Sequence, residues 1–139
     1  MERTLAIIKP DGVARGLIGE VIKRIEADHL EIIDIKMDIL TKQRAKEFYK
    51  IHDGKPFFED LVKFMSSDII VVMVLGGLNA ISRWRALMGA TNSAEAKKGT
   101  IRGDFGDPNV IRQNVVHGSD SLETAKLEIN YFFKELNYV

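Results

Sequence analysis

Seven apolar residues in a row, Ile69-Ile70-Val71-Val72-Met73-Val74-Leu75, end on Gly76-Gly77 and constrain the fold of this chain more than any other segment. The run is the longest uninterrupted apolar stretch, yet far short of the roughly 20 residues a membrane-spanning helix needs. Its β-branched residues suit a pleated strand. With no polar residue alternating in, it reads as a central strand buried on both faces.

The other elements can be read around it. Thr4–Ile8 is a short apolar run stopped by Pro10 and Gly12, and reads as a second buried strand. Leu17 to Leu30 carries Ile18, Val21, Ile22 and Ile25 at helical spacing. Ile33, Ile35, Met37 and Ile39 alternate with Asp34, Lys36 and Asp38, a period of two that predicts a strand with a solvated polar face. Lys42–Tyr49 is predicted helical, and His52-Asp53-Gly54-Lys55-Pro56 breaks it. Phe57, Phe58, Leu61, Val62, Phe64 and Met65 suggest a second short helix. Asn79 is placed to cap a helix carrying Ile81, Trp84, Leu87 and Met88. From Gly89 to Ile111 the periodicity disappears, and a stretch that long without regular structure is usually functional. Val115-Val116 is a short strand candidate, and Asp120 or Ser121 caps a last helix with Leu122, Ala125, Ile129, Phe132 and Phe133 on one stripe. Alternation alone favours a parallel sheet, whereas the polar face of Ile33–Ile39 argues for an antiparallel one open on one side.

At 139 residues the chain is expected to form one domain with its own core. Lys and Arg number 20, as do Asp and Glu, so binding to nucleic acid or a membrane through bulk charge is a poor expectation. With no cysteine there is no disulfide framework, cysteine nucleophile or thiolate metal site. The first residues lack a signal-peptide core, because Lys9 and Pro10 interrupt it. A cytoplasmic protein is the default expectation.

Three clusters could carry chemistry. His117 stands between Val115-Val116 and Gly118-Ser119-Asp120, where a strand end meets a helix start and backbone N–H groups collect. A satisfied structural histidine is the plain alternative. Glu128 lies beside the apolar stripe of the last helix, so a half-buried carboxylate there needs a partner such as His117 or Ser119; a surface charge is the alternative. His29 and His52 read as surface or capping residues. Lys9, Arg85 and Arg102 sit at breaks next to glycines and could converge on phosphates, with Thr91 and Asn92 as neutral donors; each alone reads as a solvated charge. Of Phe57 and Phe58, one is expected in the core and the other could offer a face to a base, with Tyr49 one turn before the break. There is no G-x-x-x-x-G-K-[ST] loop, no G-x-G-x-x-G fingerprint and no metal-ligand spacing, so any Mg²⁺ would arrive with the phosphates.

The blocks Thr4-Leu5-Ala6-Ile7-Ile8-Lys9-Pro10-Asp11-Gly12-Val13, Arg15-Gly16-Leu17-Ile18-Gly19-Glu20, Pro56-Phe57-Phe58, Leu87-Met88-Gly89-Ala90-Thr91-Asn92, Gly99-Thr100-Ile101-Arg102-Gly103-Asp104-Phe105 and Asn114-x-x-His117-Gly118-Ser119-Asp120-Ser121 together resemble the nucleoside diphosphate kinases, in family order and over nearly the whole chain. The resemblance implies an α+β, ferredoxin-like sandwich with a four-stranded antiparallel sheet covered by helices, and a long active-site loop before the last strand. It implies transfer of the γ-phosphoryl group from ATP or another triphosphate to a nucleoside diphosphate, by a ping-pong route with broad base and sugar tolerance. By the same resemblance His117 becomes phosphohistidine and Glu128 and Ser119 orient it. Lys9, Arg85, Thr91 and Arg102 hold phosphates, Asn114 and Lys9 reach the ribose, Phe57 stacks on the base with Leu61 nearby, and Tyr49 lines the site. Mg²⁺ is implied as cofactor, and a tetramer or hexamer as assembly. The segment from Phe105 to Asn114 is longer than usual for the family, and Ser93 stands where proline is common. A catalytically silent nucleotide-binding module is the rival reading, and a nucleic-acid binder a weaker one.

Overall fold

The computed structural model describes residues 1–134. Its four strands are β1 (Glu2–Ile8), β2 (Glu31–Asp38), β3 (Ile70–Gly77) and β4 (Val116–Gly118), in the order β2-β3-β1-β4 with every pairing antiparallel. The helices are α1 (Pro10–Ala14), α2 (Ile18–Ala27), α3 (Lys42–Phe48), α4 (Phe58–Met65), α5 (Ala80–Met88), α6 (Ile101–Phe105) and α7 (Leu122–Phe132).

Helices cover both faces of the sheet. Leu5, Ile7, Val72 and Val74 pack against Ala45, Leu61, Val62, Ile129 and Phe132 of α3, α4 and α7. Ala6, Ile8, Val71, Met73 and Leu75 pack against Val21, Ile25, Trp84 and Met88 of α2 and α5. That double cover is why β1 and β3 read as unbroken apolar runs. The chain turns into α1 directly after β1, because Pro10 takes the first helical position, where a missing N–H costs nothing.

Two expectations are corrected. The stretch from Gly89 to Ile111 is not structureless: it contains a 3₁₀ turn at Ser93–Glu95 and α6, capped by the Thr100 hydroxyl on the Gly103 N–H. On β2 the solvated face is the apolar one. Ile33 is the extra residue at a bulge between Ile32 and Asp34, which reverses the phase of the strand from Asp34 onward. Lys36 and Asp38 turn inward, Lys36 donating to the Phe132 carbonyl and Asp38 pairing with Arg44 at 2.8 Å. Ile35, Met37 and Ile39 stay exposed, Met37 by 59%.

Candidate active site

β1 and β4 are adjacent, with Ile7 opposite His117, so Lys9 at the end of β1 emerges beside the end of β4. The Lys9-Pro10-Asp11-Gly12 run then builds the approach to the histidine. The Lys9 N–H donates to the Val115 carbonyl at 2.8 Å, and Asp11 Oδ2 accepts from the Val115 N–H at 3.1 Å. Val115 is thereby held at φ +72°, an uncommon conformation for a β-branched residue, in a tight turn closed by Val116 N–H on the Asn114 carbonyl at 2.8 Å. Gly12 makes room for this turn: a Cβ there would stand 3.0 Å from Val115 Cγ1 and 2.8 Å from Ile8 Cγ2. Burial raises the Asp11 carboxyl above its usual range, against the Val115 hydrogen bond and the Lys9 charge.

The turn delivers His117 onto β4. Its Nε2 meets Glu128 Oε1 at 2.9 Å, and the Ser119 hydroxyl donates to the same oxygen at 2.8 Å while accepting the Leu5 N–H at 3.2 Å. A carboxylate only accepts, so in the neutral ring Nε2 carries the hydrogen and Nδ1 keeps its lone pair. Among the described residues Nδ1 has no hydrogen-bond partner. Phe48 and Tyr49 press on the ring edge-on, at 5.5 and 6.1 Å between centroids. Behind it, Trp84 Nε1 donates to the His117 carbonyl at 3.1 Å, and a Cβ on Gly118 would come within 2.7 Å of that indole nitrogen.

His117 lines a cavity of about 260 Å³ together with Lys9, Arg85, Thr91, Arg102, Asn114 and Asp120. The Lys9 ammonium donates to Asn114 Oδ1 at 2.7 Å, and Asn114 Nδ2 donates to the Thr91 carbonyl at 2.9 Å. Burial, then the Arg102 charge, lower Lys9 from 10.5 to about 7, with Asp11 opposing. Arg102 is buried and donates to the carbonyls of Asn114, Gly89 and Val116 at 3.3, 3.0 and 2.8 Å. Three of its five donors are thus spent on framing the cavity, and two remain. Burial and then Arg85 pull its basicity down to about 10. Arg85 pairs with Asp120 at 2.5 Å on the exposed rim.

A second cavity of about 660 Å³ shares Lys9, Thr91 and Asn114 with the first and continues between Tyr49, Phe57 and Leu61 on one side and Asn109–Arg112 on the other. Phe58 is buried in the core while Phe57 is 48% exposed, the division expected of the pair. Tyr49 is buried, its hydroxyl has no hydrogen-bond partner among the described residues, and burial pushes that phenol well above its usual pKa. The compound site is therefore cationic at the histidine end and mostly apolar at the other.

The structure brings together Lys9, Tyr49, Phe57, Leu61, Arg85, Thr91, Arg102, Asn114, His117, Ser119 and Glu128. Asn92 is instead occupied locally, its side chain accepting the Ala94 N–H at 3.0 Å. His52 packs 5.3 Å from the Phe57 ring and so belongs to the site's surroundings. Asp11, which fixes the Val115 turn, and Asp120, which lines the cavity beside Arg85, are residues that sequence reasoning misses; the signal for Asp11 is an acid directly after the proline where a strand turns into a helix. Among the described residues no group of three or more His, Asp or Glu stands together to hold a metal.

The nucleoside diphosphate kinase family model matches residues 2–138. A nucleoside diphosphate kinase of Desulfosudis oleivorans is 58% identical over 133 residues, covering 96% of this chain and 94% of the relative. One from Desulforapulum autotrophicum is 54% identical over 139 residues, covering 100% of this chain and 99% of the relative. Among solved structures, the Aquifex aeolicus nucleoside diphosphate kinase superposes with TM-score 0.93 at 42% identity, over 99% of both chains. The Halobacterium salinarum enzyme, solved in complex with CDP, gives TM-score 0.93 at 41% identity, over 99% of this chain and 91% of that one. The chain belongs to the nucleoside diphosphate kinase family and transfers phosphoryl groups between nucleotides.

Proposed function

We propose that this transfer runs in two half-reactions through a phosphate carried on Nδ1 of His117. The observation that supports it is the Nε2–Glu128 bond, which commits one ring nitrogen and leaves the other free in a cavity lined by Lys9, Arg85 and Arg102. In the first half Nδ1 attacks the γ-phosphorus of ATP or another triphosphate, the bond to the β-phosphate oxygen breaks, and the diphosphate leaves. The positive charge that develops on the ring is met by Glu128, which Ser119 holds in place. In the second half a terminal oxygen of another diphosphate attacks the same phosphorus and the ring nitrogen leaves. Lys9, Arg85, Arg102 and Thr91 hold the phosphates, so Arg85 exchanges Asp120 for phosphate oxygen. Asn114 and Lys9 reach the ribose, Phe57 stacks on the base beside Leu61, and Tyr49 closes the wall between base and histidine. Stacking on a π face tolerates any base.

Mg²⁺ fits a wall with three cations and one carboxylate, Asp120, as a metal held mainly by the phosphates themselves. When bound there it neutralises phosphate charge. No helix of the described residues is long and apolar enough to cross a membrane, and a cytoplasmic location belongs to the same reading. Mixing the protein with γ-labelled ATP and GDP in the presence of Mg²⁺ tests the function: labelled GTP is expected, and nucleotide binding without labelled GTP would favour the silent module.

The homo-oligomer, a tetramer or hexamer in the resemblance, is supported by the outer edge of β2. Among the described residues that edge has no strand partner, and it carries the exposed Ile35, Met37 and Ile39. An unpaired apolar edge is a template for a second copy. Met37→Glu is expected to lower the mass measured by sedimentation; an unchanged mass would count against this interface.

A further inference from the structure

Besides Lys9, the wall of the base end carries two charges that stacking does not need, and the Lys55 ammonium stands 5.7 Å from the Phe57 ring centroid. Asp60 and Arg112 line the 660 Å³ cavity together with Phe57. Asp60 is three residues after Phe57, so it lies one helical turn further along the same side of α4. Arg112 stands on the facing wall, in the segment between Phe105 and Asn114. That segment is closed on itself by Asp107 N–H on the Gln113 carbonyl at 2.9 Å and Gln113 N–H on the Val110 carbonyl at 3.0 Å. Both charges are exposed, and among the described residues neither has a hydrogen bond or ion pair. The two also line an adjoining cavity of about 270 Å³, with Lys63, Phe64, Ser67 and Gln113. They therefore mark the outer boundary of the slot, where the edge of a base stacked on Phe57 would end.

We propose that Asp60 and Arg112 read that edge and bias the exchange toward guanine nucleotides, a specificity that rests on the phosphohistidine reading above. Guanine offers two adjacent donors, N1–H and the N2 amine, which one carboxylate can accept together. It also offers O6 and N7 as a pair of acceptors for a guanidinium. Adenine turns an unprotonated N1 toward a carboxylate and has no O6. Cytosine and uracil offer neither the adjacent pair of N–H donors nor the O6 and N7 pair. Asp60 also sits in the first turn of α4, where an acid favours the helix. That effect acts equally on every nucleotide and cannot produce a preference.

The test uses the enzyme phosphorylated with ATP and freed of nucleotide, reading the second-order rate at which GDP, IDP, ADP and UDP remove the phosphate. GDP is expected to exceed ADP and UDP by about tenfold, the scale of one good paired contact at an exposed rim. IDP, which lacks the N2 amine, is expected to fall between. Asp60→Asn and Arg112→Gln are each expected to bring the GDP-to-ADP ratio close to one. Equal rates for GDP and ADP in the unmodified protein, or a variant that slows all four alike, would overturn the proposal. If no phosphoenzyme forms, the phosphohistidine reading has failed separately. The same GDP-to-ADP ratio is then read from equilibrium binding, where a preference lost in Asp60→Asn supports base reading and equal affinities refute it.

Discussion

His117→Ala is expected to abolish the acid-labile phosphoprotein formed with γ-labelled ATP and to lower kcat by about 10⁴-fold or more, since its imidazole is the group that carries the phosphate between the two half-reactions. The fold should survive. His117 is only half-buried, and what it gives the structure is mainly its backbone, the strand pairing to Ile7 and the carbonyl that accepts Trp84. Circular dichroism and nucleotide affinity are therefore expected to stay close to those of the unmodified protein while transfer disappears. Label retained in the variant would mean that another residue takes the phosphate. Glu128→Gln gives a graded version of this experiment. Its side chain can turn a donor toward Nε2 and favour the wrong tautomer, and a loss of about 10²–10³-fold in kcat is expected from that alone.

The second large effect is expected at Lys9, both by substitution and by pH. Lys9→Met removes a cation whose position is fixed by Asn114, and a loss of about 10²–10³-fold in kcat/KM is expected from removing one such donor. The pH dependence comes from its basicity. Lys9 titrates near 7, lowered chiefly by burial. Bound phosphates bring negative charge beside it and raise its pKa in the complex, so binding takes up a proton whenever the pH lies above about 7. The favourable contribution is therefore fully present below pH 7 and is lost as the pH climbs toward the higher value of the complex. At pH 8 the terminal phosphate is already ionised. Calorimetric titration with a diphosphate in buffers of different ionisation enthalpy should then report proton uptake approaching one per site. Lys9→Met should report almost none. Affinity that stays flat from pH 7 to 9 in the unmodified protein would contradict this picture of Lys9.

Much of the site is legible in the sequence because its chemistry is carried by residue types that stand out locally. A carboxylate beside the apolar stripe of a helix and an imidazole at a strand end both demand partners, and Glu128 and His117 are each other's. The pair Phe57 and Phe58 announces one buried and one available ring because adjacent residues at a helix start cannot share a face. The illegible parts depend on contacts between distant stretches of the chain. Val115 at positive φ runs against the preference of every β-branched residue. It is held there by Lys9 and Asp11, more than 100 residues earlier. The inward turn of Lys36 and Asp38 depends on one extra residue at the β2 bulge, which alternation cannot show. Helix α6 is a single capped turn with a glycine inside it, too short for periodicity to register. The resemblance makes Arg102 a phosphate ligand alone. Its burial under three backbone carbonyls makes it a part of the cavity wall as well.

The most direct measurement is the position of the phosphate on the ring. The enzyme is phosphorylated with ATP, kept at alkaline pH where phosphohistidine survives, and studied by phosphorus and nitrogen NMR. Glu128 holds Nε2 at 2.9 Å, so the phosphate should sit on Nδ1 of His117, with Nε2 still protonated and bonded to the carboxylate. A phosphate on Nε2, or on any other residue, would contradict the mechanism at its root.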